Sequence, residues 1–160
     1  MTGDFYSTMK HKILFVCLGH ICRSPMAEFI MKDMVHKAGR DSEFEIASAA
    51  TSDEEFGNPV YPPAREKLAE HNISCKGHTS RQITKADYHY YDIIIAMDHS
   101  NLKNIEWIVG PDTENKISLL MEHVVDATHI NVADPWYTGD FETTWRDVVA
   151  GCKALLAELK

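Results

Sequence analysis

The sequence predicts an α/β fold: a three-layer sandwich with a four-stranded parallel central sheet and helices on both faces. Three observations predict it. Short apolar runs alternate along the chain with segments of helical period. The runs are continuously apolar, as in strands covered on both faces, rather than alternating as in a half-solvated sheet. The length of 160 residues, with 44% hydrophobic and 25% charged residues, suits one globular domain with a packed core. Right-handed crossovers would then gather the strands into one parallel sheet.

The first strand is expected over Lys12-Ile13-Leu14-Phe15-Val16-Cys17. After a short loop, Ser24-Pro25 supplies an N-cap and a first-turn proline, and Met26, Phe29, Ile30, Met34 and Ala38 follow at helical spacing until Gly39. Glu43 to Ala49 reads as the second strand, and Ala50 to Tyr61 as a long polar loop punctuated by Gly57 and Pro59. Pro63 opens a helix through Leu68 that Asn72 closes. Thr84-Lys85-Ala86-Asp87 has the form of a capping box ahead of the strand Asp92 to Met97. Asp98 or Ser100 caps a helix carrying Leu102, Ile105, Ile108 and Val109 that stops at Gly110-Pro111, and Lys116 to Leu120 forms the fourth strand. A second long loop runs from Glu122 to Gly139. The last helix starts near Asp140 and presents Phe141, Trp145, Val148, Val149, Cys152, Leu155, Leu156 and Leu159 on one stripe.

Sixteen basic against twenty-four acidic residues give a net charge of -8, which argues against a nucleic-acid partner and requires any bound anion to be held locally. The longest apolar block, around Ile93 to Met97, falls far short of a membrane span, and residues 1 to 12 lack the apolar core of a secretory signal. The expectation is one cytoplasmic domain over 1–160, with 1–10 a flexible extension and Met9 an alternative start. Cys17, Cys22, Cys75 and Cys152 are too few and scattered for a disulfide framework, and neither they nor the nine histidines show metal-ligand spacing. No metal and no cofactor are expected.

Parallel sheets bind ligands beyond the carboxyl ends of their strands, so the loops after Cys17 and after Glu122 can open on one edge. The segment Cys17-Leu18-Gly19-His20-Ile21-Cys22-Arg23-Ser24-Pro25 sets a cysteine and an arginine five residues apart at a strand-to-helix turn. A loop so short can aim successive N–H groups and the positive helix end at one point, and an arginine can close that anion nest with its planar fork. A thiol at its mouth feels several positive partial charges and one full one, which favours the thiolate and makes Cys17 a nucleophile aimed at phosphorus. Taken singly, Cys17 would be a small core residue; Arg23 would be awkward on a helix's positive end unless an anion sits there.

The run Val16 to Pro25 resembles the signature loop of the low-molecular-weight protein tyrosine phosphatases. The resemblance extends to Ser48-Ala49-Ala50-Thr51-Ser52, Gly57-Asn58-Pro59, Ser80-Arg81-Gln82-Ile83-Thr84, Met97-Asp98, Ser100-Asn101-Leu102 and Asp134-Pro135-Trp136-Tyr137, nearly the whole chain from Ile13 onward. It implies a metal-independent phosphatase acting on phosphotyrosine proteins or small aryl phosphates through a phosphocysteine. Cys17 would attack, Arg23 and the loop from Leu18 to Cys22 would hold the phosphate, and Asp134 would protonate the leaving oxygen and later activate water. Ser24 would hydrogen-bond the sulfur, Ser48 and His78 would steady the loop, and Trp136 and Tyr137 would wall a slot for the phenyl ring. A monomer or weak dimer is expected.

Several positions depart from the family's pattern. His20 replaces the usual asparagine, and Trp136 stands where tyrosine is more usual. Glu54, flanked by Asp53 and Glu55, takes a position often aromatic, so the rim is acidic and disfavours acidic phosphopeptides. Phe56 is expected either in the core or as a substitute for part of that wall. Phosphoarginine phosphatases of similar sequence place threonine where Ile21 stands, so Ile21 resembles the tyrosine-directed branch. Cys22 resembles the family's second loop cysteine, able to form a reversible disulfide with Cys17, or is a passive core thiol. Asp98 reads as a helix cap, and Cys75 and Cys152 as packing or solvent-facing residues. Two other functions compete: a thioredoxin-coupled arsenate reductase, which needs further relay cysteines near Cys75, and an oxyanion-binding module without turnover.

Overall fold

The computed structural model describes residues 10–19 and 21–159; the expected extension, Lys10 apart, and His20 lie outside the described residues. Four strands, β1 (His11–Cys17), β2 (Phe44–Ala50), β3 (Ile93–Ala96) and β4 (Ile117–Leu119), form one parallel sheet in the order β2-β1-β3-β4. Its centre is fixed by Phe15, which pairs with Ser48 on one side and Ile95 on the other. Helices α1 (Arg23–Lys37), α2 (Pro62–Glu70), α3 (Lys85–Tyr90), α4 (His99–Val109), α5 (Pro135–Thr138) and α6 (Phe141–Glu158) complete the order.

The alternation of side chains along β1 divides the core in two. Ile13, Phe15 and Cys17 join Met26, Ile30 and Met31 of α1, Leu68 of α2, and Val148, Cys152 and Leu155 of α6. Leu14 and Val16 meet Tyr88 of α3 and Ile105 of α4 on the other face. Each large apolar side chain buried in this way contributes about 1.5–3 kcal/mol relative to exposure. The expected three layers are therefore present, and no helix among the described residues is long and apolar enough to cross a membrane.

The helix ends follow local chemistry. Thr84 forms the expected capping box with Asp87, Asp98 caps α4, and Asp140 caps α6. Gly39, at φ 70°, takes the left-handed turn that lets the chain leave α1. Ser24 does not cap α1. The helix starts at Arg23 with no side-chain cap, because the Ser24 hydroxyl turns inward to Cys17 and the Ala49 carbonyl. The second long loop also contains an element the sequence reading omitted: α5, a single turn after Asp134 whose four residues are too few to show a period. Gly151 lets α6 lie directly on the turn after β4, since a Cβ there would stand 2.3 Å from Leu120 Cγ.

Candidate active site

The loop after β1 is held from outside by its carbonyls. Those of Cys17 and Leu18 accept from the N–H groups of Thr51 and Ser52 at 2.9 and 3.0 Å, and that of Ile21 from Tyr61 N–H at 2.8 Å. The Ser80 hydroxyl donates to the Gly19 carbonyl at 2.9 Å. In a trans peptide the next N–H points opposite the carbonyl, so these bonds turn the N–H groups of Leu18, Gly19 and Cys22 toward the inside of the loop. They add to the uncapped first turn of α1, which makes the concavity attractive to an anion.

Cys17 is buried at the carboxyl end of β1, with Sγ 3.0 Å from Ser24 Oγ. Cys22 is buried beside it. Desolvation, followed by the charges of Cys17 and Asp134, pushes the Cys22 thiol up and keeps it protonated. Cys75 and Cys152 are buried too, so both belong to packing rather than to solvent.

Arg23 is only 2% exposed. Its Nη1 donates to Asp98 Oδ2 at 2.6 Å and to the Val132 carbonyl at 2.7 Å, and Nη2 lies 3.4 Å from Asp134 Oδ2. Burial opposes its charge, but Cys17, Asp98 and Asp134 outweigh that and hold the guanidinium more firmly protonated than usual. Its Nε–H has no acceptor among the described residues. Asp98 thus works twice: Oδ1 caps α4 on Asn101 N–H, while Oδ2 holds Arg23. The sequence reading gave it only the first role. A readable signal was its place just past β3, the strand beside β1, where its side chain shares the edge with the cysteine loop.

Asp134 is brought to that edge by Val132, whose N–H donates to the Met97 carbonyl at 2.9 Å while its own carbonyl serves Arg23. Asp134 Oδ1 accepts from Trp136 N–H, which leaves Oδ2 toward the guanidinium. Cys17, Leu18, Gly19, Ile21, Cys22, Ser52, Glu54, Glu55, Asp134, Trp136 and Tyr137 line one cavity of about 140 Å³. Trp136 is 50% exposed and braced by the Tyr61 ring at 4.7 Å. Phe56 belongs neither to the core nor to the wall: it is 71% exposed, because its N–H closes a tight turn onto the Asp53 carbonyl.

Ser48 and His78 both meet a carboxylate on α1. Ser48 donates to Glu28 Oε1, and His78 Nδ1 lies 3.7 Å from the same oxygen. Glu28, buried on α1 with Lys32 on its other oxygen at 2.6 Å, is the anchor the sequence reading missed. It shares a helical stripe with Ser24, Met31 and Val35, which was the available signal.

A family profile described as "Low molecular weight phosphotyrosine protein phosphatase" matches residues 12–160. The low molecular weight protein-tyrosine-phosphatase YfkJ of Bacillus subtilis is 38% identical over 148 residues, covering 92% of this chain and 95% of that one. The YfkJ crystal structure superposes with a TM-score of 0.91 over 94% of each chain. The low molecular weight protein tyrosine phosphatase of Streptococcus pyogenes is 42% identical, with a TM-score of 0.82 over 95% of this chain and 94% of that one. With the sheet order, the cysteine loop and these matches in agreement, the chain belongs to the low molecular weight phosphotyrosine protein phosphatase family.

Proposed function

We propose that the protein hydrolyses aryl phosphate monoesters, foremost the phosphotyrosine of proteins, through a phosphocysteine intermediate. Cys17 attacks phosphorus, forming the S–P bond as the bond to the aryl oxygen breaks, and Asp134 gives its proton to the departing oxygen. The inward N–H groups of the loop and the free Nε–H of Arg23 hold the equatorial oxygens as charge shifts among them. Asp134, now a carboxylate, takes a proton from water as the water oxygen bonds to phosphorus. The P–S bond breaks and returns a thiolate, which the Ser24 hydroxyl stabilises by donating a hydrogen bond. Trp136 and Tyr137 offer aromatic faces to the phenyl ring. A thiolate nucleophile persists only under reducing conditions, so the reading carries a cytoplasmic location with it.

The observation that most supports this reading is the buried guanidinium of Arg23, with one N–H unpartnered among the described residues, beside Asp134, which lines one cavity with Cys17. Hydrolysis of p-nitrophenyl phosphate and of a phosphotyrosine peptide tests it. Wild type should turn over both, and Cys17→Ser neither. Asp134→Ala should lower kcat on the peptide by about 10²–10⁴ while leaving binding nearly intact, with a smaller loss on p-nitrophenyl phosphate, whose leaving group needs less protonation. Turnover by Cys17→Ser would remove the nucleophile assignment; thiol consumption on arsenate without phosphate release would favour the reductase alternative.

A further inference from the structure

The cavity mouth carries an electrostatic oddity. A phosphate ester arrives as a dianion, yet one wall of the entrance presents Glu54 and Glu55, with Asp53 exposed in the same turn. The described lining residues include no lysine, arginine or histidine. Glu54 is exposed and has no ion-pair partner among the described residues. Glu55 accepts from Asn58 Nδ2 at 2.5 Å, and its stem lies over Gly19, its Cγ 3.5 Å from where a Cβ on Gly19 would stand.

The lip is also held in place. Ser52 N–H is bound to the Leu18 carbonyl, Glu54 N–H to Ser52 Oγ, Asn58 N–H to the Glu55 carbonyl and Gly57 N–H to the Ser80 carbonyl. The backbone of the lip is therefore fixed against the nucleophile loop, and Asn58 holds the Glu55 carboxylate beside it. The lip's carboxylates repel a bare dianion at close range, and the net charge of -8 adds to the repulsion. Trp136 and Tyr137, which line the same cavity and receive the phenyl ring, are uncharged and do nothing to offset the lip's charge.

We infer that Glu54 and Glu55 are specificity-determining residues, and that the preferred substrates carry lysine or arginine beside the phosphotyrosine. The inference rests on the phosphatase reading above. A flanking cation would sit against the exposed outer side of the Glu54–Glu55 lip while the phenyl ring lies against Trp136 and Tyr137 and the phosphate enters the cysteine loop. The lip's repulsion of the phosphate is then offset only in basic sequences, a selection that works through exclusion as much as attraction.

Three phosphotyrosine peptides that differ only in flanking residues, all arginine, all alanine or all glutamate, test this by kcat/KM at low salt and at 0.5 M NaCl. The expected order is arginine, alanine, glutamate, with about tenfold between the extremes at low salt and a narrower span at high salt. Glu54→Gln with Glu55→Gln should bring the extremes within about twofold, chiefly by raising turnover of the acidic peptide, and should raise kcat/KM for p-nitrophenyl phosphate. Glu54→Lys should invert the order. Equal rates on the three peptides, or a preference that survives in the double variant, would overturn the inference. A wild type inactive on p-nitrophenyl phosphate would overturn the phosphatase reading beneath it.

Discussion

A guanidinium buried as deeply as that of Arg23 keeps its orientation only while its other donors are occupied. Asp98 and the Val132 carbonyl both engage Nη1, Nη2 lies beside Asp134, and Nε–H has no acceptor among the described residues. Asp98→Asn tests this arrangement without disturbing α4, since asparagine still caps Asn101 N–H. The charge on Oδ2 is lost, and kcat/KM on p-nitrophenyl phosphate should fall about tenfold to a hundredfold, with the melting temperature measured in parallel. An unaltered rate with a lowered melting temperature would make the pair purely structural. At this scale the sequence was legible wherever a residue's role depends on its chain neighbours. Cys17, Arg23 and Asp134 were expected to meet at one edge of the sheet, and the structure brings them together there. Asp98's second partner and Glu28's anchoring role come from residues 75 and 20 positions away, and no local pattern announces them.

At the scale of elements, the turn after β4 packs tightly against α6. Gly151→Ala would add a methyl group against the buried Leu120, whose Cγ and both Cδ atoms all lie within 2.8 Å of the new Cβ. Alanine favours a helix over glycine by about 1 kcal/mol, whereas overpacking a closed core costs about 1–3 kcal/mol, and a clash at 2.3 Å belongs at the upper end. The variant should lose net stability in urea unfolding, and Leu120→Ala in the same chain should recover part of the loss. A stabilised single variant would show that Leu120 moves freely. The strands were legible because all four are short apolar runs bounded by turns, and each expected boundary fell within one residue of the observed one, β4 included, where Leu120 opens a 3-10 turn. Ser24 was misread because a serine before proline also has the form of a cap, and only the sulfur next to it shows why the hydroxyl turns away.

For the molecule as a whole, pH acts through the same buried network. Desolvation lowers the His78 pKa below 6.5, Lys32 and Arg81 push the same way, and Glu28 opposes them. The folded protein therefore refuses a proton that the unfolded chain accepts. The stability this provides is complete above pH 6.5 and drains away as pH falls through the lowered folded value. Melting temperatures between pH 7.5 and 5 should fall accordingly, and His78→Gln should flatten that part of the curve. An equal slope in the variant would assign the acid sensitivity to other groups. The three-layer architecture was legible at this scale because parallel topology follows from the alternation of elements; the hydrogen-bonded bracing of one loop by three separate segments was not, because those bonds appear only once the strands are in register.

The bond from Arg23 to the Val132 carbonyl joins positions 109 apart, and it forms only when β3 has entered the sheet between β1 and β4. During synthesis the thiol loop therefore leaves the ribosome long before Arg23 gains its partners at Val132 and Asp134. A growing polypeptide of this kind is inert toward phosphate esters until its last quarter has emerged, and regained turnover after dilution from denaturant marks the final docking event rather than early collapse.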